Sequence, residues 1–175
     1  MIRAVVLAAV CGAALVVSVP AATAQDALLL GVTGSWSAFS SGSGSDKTCY
    51  AMAKPSKSDP RKIKRDPIYF LITDWPGRKT KSEPQVNPGY QYKDGSTVTA
   101  QVGRDKFEFF TQNDGGDGAA WIRKRADEVR LVDLMKTGQS LVVTGTSKRG
   151  TVTRDTYSLA GLSDALDKIH QACGM

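Results

Sequence analysis

A chain of 175 residues, 41% hydrophobic and 7% aromatic, accommodates one ordinary domain and excludes a large multidomain enzyme. Its 23% charged fraction lies near the globular norm, which excludes wholesale disorder. The formal charge of +6 is an excess of the kind that attracts anionic partners.

Residues 1–24 read as a secretory signal. Arg3 supplies the positive charge, and Ala4 to Val19 is an apolar run broken only by Cys11, Gly12 and Ser18. Ala22-Thr23-Ala24 then gives the small-x-small pattern that signal peptidase cuts, ahead of Gln25. The run falls short of the about 20 apolar residues that cross a bilayer, and no later segment approaches that length. Cleavage leaves one domain, 25–175, expected to be exported: periplasmic, associated with the outer membrane, or secreted. Cys49 and Cys173 are then the only cysteines left. They are expected to pair, because an oxidising compartment favours the disulfide. The bridge closes a loop spanning most of the domain, worth about 4–5 kcal/mol by chain entropy.

In chain order, 25–30 reads as a lead-in and 34–40 as a strand carrying Trp36, followed by a flexible Gly-Ser loop at 41–45. A second strand, 47–53, carries Cys49. The charged segment 54–66 reads as an exposed loop. The stretch 67–75 (PIYFLITDW) is the most apolar strand, predicted to be buried on both faces. A connection rich in Pro and Lys follows at 76–88. Asp94-Gly95, between 90–93 and 97–102, predicts a tight hairpin, because Gly tolerates the positive φ of a type I′ turn. Gly103-Arg104 leads to a strand at 106–112, then come a turn at 113–118 and a brief strand at Trp121-Ile122.

The last third changes period. Val129, Leu131, Val132, Leu134 and Met135 predict a helix over 126–136, with Gly138 as its left-handed cap. A hairpin follows, from 140–147 to 151–158 around Lys148-Arg149-Gly150. Leu162, Leu166, Ile169 and Cys173, at steps of four, three and four, form one face of a final helix. The chain is therefore read as mainly β (α+β). An antiparallel β-sandwich or curled sheet carries two helices in its C-terminal half, the last tethered by the Cys49–Cys173 bridge.

With these residues in place, the chain resembles the invasion-associated locus B family, exported proteins of alphaproteobacteria. Gly34-Ser35-Trp36, Lys47-Thr48-Cys49-Tyr50-Ala51 and Arg65-Asp66-Pro67 carry the resemblance, with the Phe-rich 106–112. Leu141 to Ser147 and Thr156 to Leu166 complete it in matching order over nearly the whole mature chain. Many relatives carry a further cysteine soon after the opening tryptophan, where this chain has Phe39 and Ser40. The resemblance implies a β-rich periplasmic or envelope-associated domain, with host-cell interaction attributed to some members. It supplies no shared catalytic residues.

Catalytic patterns are sparse. His170 is the only histidine, and it reads as a helix-terminal residue favourable to the helix dipole. Asn113, Asp114 and Asp117 are possible Ca²⁺ ligands, but the alternating acids and terminal glutamate of an EF-hand loop are missing, and a glycine-rich turn accounts for them. No cofactor, metal or catalytic residue is assigned, and the protein is not expected to be an enzyme. The distinctive feature is a concentration of charge. Lys54, Lys57, Arg61, Lys62, Lys64, Arg65, Arg78, Lys79 and Lys81 lie in the two segments 54–66 and 76–81 that flank one apolar strand. These nine are candidate anion-binding residues for envelope lipids or acidic polymers. Another envelope protein is the other candidate partner. Nucleic acid is disfavoured, because Tyr69, Phe70 and Trp75 belong to the strand rather than to the loops. The alternative function is an envelope hydrolase or small-ligand module using a cleft the sequence does not display.

Overall fold

The computed structural model describes residues 27–61 and 63–175. The predicted signal and Lys62 lie outside the described residues. The strands are β1 (Leu28–Thr33), β2 (Trp36–Ser41), β3 (Thr48–Ala53), β4 (Lys57–Asp59), β5 (Tyr69–Trp75), β6 (Thr80–Asn87), β7 (Thr97–Val102), β8 (Asp105–Asp114), β9 (Asp117–Trp121), β10 (Ser140–Thr146) and β11 (Val152–Ser158). The helices are α1 (Arg125–Thr137) and α2 (Leu162–Cys173). The strands form one antiparallel sheet in the order β1-β2-β3-β5-β6-β9-β8-β7-β10-β11-β4.

The sheet curls on itself, as aromatic contacts between distant strands require. Phe70 on β5 packs edge-on against Phe109 of β8 at 6.4 Å, Tyr157 of β11 at 5.8 Å and Trp36 of β2 at 6.4 Å. All four rings are buried in the core, and the Trp36 indole N–H donates to the Ser158 carbonyl at 3.0 Å. That bond satisfies the polar end of a buried tryptophan and ties the second strand to the eleventh. The mainly β, curled-sheet architecture with two late helices is the one read from the sequence.

Helix α2 closes the structure over β1, β2, β3 and β5. Leu162, Ala165, Leu166, Ile169 and Cys173 form its buried face. Each fully buried leucine or isoleucine contributes about 1.5–3 kcal/mol. Cys173 is bonded to Cys49 on β3, as expected, and the Lys47 ammonium donates to the Ala172 carbonyl at 2.5 Å, so the last turn is held twice.

Several local expectations are corrected. The predicted lead-in is strand β1, which pairs with β2 from Leu28 to Thr33 and forms one edge of the sheet. The predicted 76–88 connection holds strand β6. Its prolines and charges obscure an alternating pattern in which Ser82, Pro84 and Val86 face inward. Pro84 is tolerated because β9 pairs with β6 only at Gln85 and Val86, leaving one side of Pro84 without a ladder to complete. Segment 54–66 is not wholly a loop, since β4 caps the far end of the sheet against β11.

Strand β5 buries Phe70, Ile72 and Asp74 on one face, whereas on the other Thr73 alone is buried and Leu71 and Trp75 are half-exposed, because no helix covers that face among the described residues. Asp94-Gly95 does form a turn, closed by the Ser96 N–H on the Lys93 carbonyl at 3.0 Å, but not a hairpin. Tyr92 bridges to Ser147 instead, and the Asn113 amide clamps the Tyr92 N–H at 2.8 Å and its carbonyl at 3.0 Å. Gly138 is not left-handed, with φ at −80°. Glycine suits this position because a Cβ would lie 2.7 Å from a Val102 methyl. Val129 is solvent-exposed, and Glu128 takes its place on the buried side, paired with Arg125 at 2.8 Å.

Cys173→Ser removes the constraint on α2 and is expected to cost roughly 2–5 kcal/mol. Thermal unfolding followed by circular dichroism checks this, and an unchanged melting temperature contradicts it.

Candidate anion-binding groove

The nine predicted basic residues do not form one patch. Segments 54–66 and 76–81 leave opposite ends of β5, whose seven residues span about 20 Å. At the second segment, Arg78 stacks over the Trp75 ring at 4.6 Å, Lys79 sits in a left-handed turn and Lys81 lies beside Asp74 and His170. In the first segment, Lys54, Lys57 and Arg61 are exposed, with Lys57 on edge strand β4. Lys64 lines a groove of about 720 Å³.

Arg65 is not a surface cation. Its side chain is 5% exposed and forms two bonds to Asp155, at 2.5 and 2.9 Å. Burial alone would lower its pKa, but the Asp155 hydrogen bonds and charge outweigh that and raise it. The guanidinium also lies 5.7 Å from the centre of the Tyr90 ring and reaches the Pro88 carbonyl at 3.4 Å.

Around this pair, four stretches of chain converge. The Asp66 N–H donates to the Gly89 carbonyl at 3.0 Å, and the Lys148 N–H to the Gln91 carbonyl at 2.7 Å. Gln91 reaches the Gly115 carbonyl at 2.6 Å, and the Tyr90 hydroxyl meets that of Thr153 at 2.6 Å. The turn between β10 and β11 thereby brings Lys148 and Arg149 to the same groove as Lys64. In the sequence Lys148-Arg149 reads only as a turn. Contacts between residues far apart in the chain, the Tyr92–Ser147 bridge across 55 positions and the Lys148 bond to Gln91, reveal their place. Asn113, considered above as a calcium ligand, uses both ends of its amide on Tyr92.

A second polar cluster lies under α2. Asp74 is fully buried beneath the helix, and its Oδ1 accepts the Ser82 N–H at 2.7 Å. Ser82 is left-handed, with φ of 55°, and its hydroxyl lies 2.9 Å from His170 Nε2. The same Nε2 is 3.7 Å from Asp74 Oδ1. A hydrolytic triad places the carboxylate on one imidazole nitrogen and the nucleophile on the other. Here both approach Nε2, and Asp74 grips the backbone of the serine, so the cluster fastens α2 to β5 and β6.

Burial raises the Asp74 pKa against the Ser82 bond and the charges of His170, Lys81 and Arg125. Burial lowers that of His170, with Lys81 and Lys136 acting in the same direction and Asp74 and Asp167 opposing.

The family model for the invasion associated locus B (IalB) protein matches residues 36–170. The chain belongs to this family. Its fold is similar to that of invasion associated protein b from Bartonella henselae, seen in a crystal structure, with a TM-score of 0.58 at 13% identity. The similarity covers 83% of this chain and 98% of that one. No curated protein sequence matches the chain.

In this invasion-associated locus B domain the motifs behind the resemblance fall at closure points. Trp36 ties β2 to β11, Cys49 holds α2, and Arg65 of Arg65-Asp66-Pro67 braces the groove through Asp155.

Two predictions follow from these clusters. Asp155→Ala leaves a buried guanidinium unpaired and is expected to cost about 3–5 kcal/mol, whereas Arg65→Met with Asp155→Leu restores much of the loss. Urea denaturation of the single and double variants measures it; additive losses contradict it. For His170, the folded pKa is below the unfolded one. Its contribution is therefore full above the unfolded value, near pH 6.5, and is lost as pH falls through the folded value. Asp74 acts oppositely, its contribution falling as pH rises through its raised pKa. Stability measured from pH 7 to pH 5 should decline more in the parent protein than in His170→Gln, and parallel profiles contradict this.

Proposed function

We propose that the protein is an exported, non-enzymatic component of the cell envelope that binds anionic material in the groove between residues 63–66 and the β10–β11 turn. The observation that carries this reading is the convergence of Lys64, Lys148 and Arg149 on one groove, none of them in an ion pair among the described residues. Charges fixed around a concavity concentrate counter-ions far more than the same charges spread over a surface.

A binding role is supported by what the polar groups do. Asp155, the carboxylate beneath the groove, is occupied by Arg65, and Ser82 with His170 fastens a helix. The signal-like residues 1–24 support export. The Bartonella henselae neighbour is an invasion associated protein. Carried to this chain, that association makes a part in host-cell contact one setting for the groove.

Binding to anionic vesicles and to acidic polymers, measured at increasing salt, tests the reading. Affinity should fall linearly in a logarithmic plot against salt, as phosphate or carboxylate contacts displace counter-ions. The triple variant K64A/K148A/R149A should lose it. Binding that ignores both salt and the triple variant contradicts the proposal.

A further inference from the structure

Resting on that reading, we propose that the ligand of the groove is an acidic saccharide chain, a run of sugars carrying carboxylate or phosphate groups. The argument comes from what lies between the cations. Lys64 lines the groove from the segment before β5, next to the one carboxylate there, Asp66, and Lys148 and Arg149 line it from the β10–β11 turn. At about 720 Å³ the groove far exceeds a single small anion. The charges it fits are therefore spaced along a ligand.

The floor between the walls is hydroxyl and amide. Ser147, Thr151, Thr153 and Gln91 line it, and Ile63 is its single aliphatic residue. An acyl chain needs a run of aliphatic side chains to repay its desolvation, and Ile63 alone does not supply one. A sugar presents hydroxyls on its edge and C–H groups on its faces, which suits a floor of side-chain hydroxyls around one ring.

That ring is Tyr90. Arg65 lies over it, and Tyr92 meets it edge-on at 5.5 Å. So placed, Tyr90 offers one partly covered ring to the groove, a single contact rather than a row of platforms. Binding of single-stranded nucleic acid relies on successive aromatic stacking surfaces, and among the described residues Tyr90 alone is an aromatic residue lining the groove. Fixed depth also favours a chain over a flat membrane. Asp66, held to Gly89, and Lys148, held to Gln91, keep the two walls apart.

Isothermal titration of the full mature chain tests this with four probes. They are an oligogalacturonate of about six sugars, a neutral glucan of equal length, phosphatidylglycerol vesicles, and single-stranded DNA of matched charge. The acidic saccharide is expected to bind best and the neutral glucan not at all. K148A/R149A should weaken binding at least about tenfold, since a hydrogen bond to a charged group contributes on that order. Thr151→Val should weaken the saccharide severalfold while leaving any affinity for the vesicles unchanged. Lys106→Ala, on an exposed part of β8, is the surface-charge control. Melting temperatures confirm that each variant folds.

Preference for vesicles or DNA over the saccharide overturns this inference and leaves the anion-binding reading standing. Failure of every anionic probe overturns both. Saccharide binding that survives K148A/R149A places the site elsewhere and overturns the inference as well.

Discussion

The buried pair between Arg65 and Asp155 is the contact on which the candidate site depends. It joins a segment before the fifth strand to the eleventh strand, 90 positions later in the chain. Taking both charges out of water is costly, and good bidentate geometry compensates only while both partners remain. The pair therefore enforces one arrangement of the surrounding chain. Arg65 fixes the path through Lys64 and Asp66, and Asp155 fixes β11. The turn carrying Lys148 and Arg149 can then stand opposite Lys64.

The same logic of long-range closure runs through the rest of the fold. Trp36 bonds the Ser158 carbonyl, Cys49 bonds Cys173, and Ser82 meets His170. Each joins sequence-distant elements on the inside of a curled antiparallel sheet. Among the described residues no helix lies on the outer face of this sheet, so its order comes from side chains spanning the interior and from the two helices that close it. The Asp74–Ser82–His170 cluster belongs to this set, and its titration ties the attachment of α2 to pH.

The periodic parts of this architecture were legible in the sequence. Alternation of Val98, Ala100 and Val102 marked β7, phenylalanine content marked β8, and the four-three-four spacing marked α2 with Cys173 on its inner face. The pairing of two cysteines followed from their number and the predicted export signal. Elements whose local signals conflict were not legible. β6 carries a proline and charges that usually mark loops, and Asp94-Gly95 has the chemistry of a hairpin turn although Asn113 and Ser147 capture the residues before it. The site was half legible. Counting charges found Lys64 but grouped it with Arg65, which is buried, and with Arg78 to Lys81, at the other end of β5. Lys148 and Arg149 looked like an ordinary turn because only tertiary pairing places them beside Lys64.

The most direct measurement is nuclear magnetic resonance of the isotopically labelled mature chain during titration with an acidic oligosaccharide. Saturable amide shifts are predicted at 63–66, 89–91 and 147–153, with little change at 76–81. Shifts centred on 76–81, or scattered over every exposed lysine, would contradict the account.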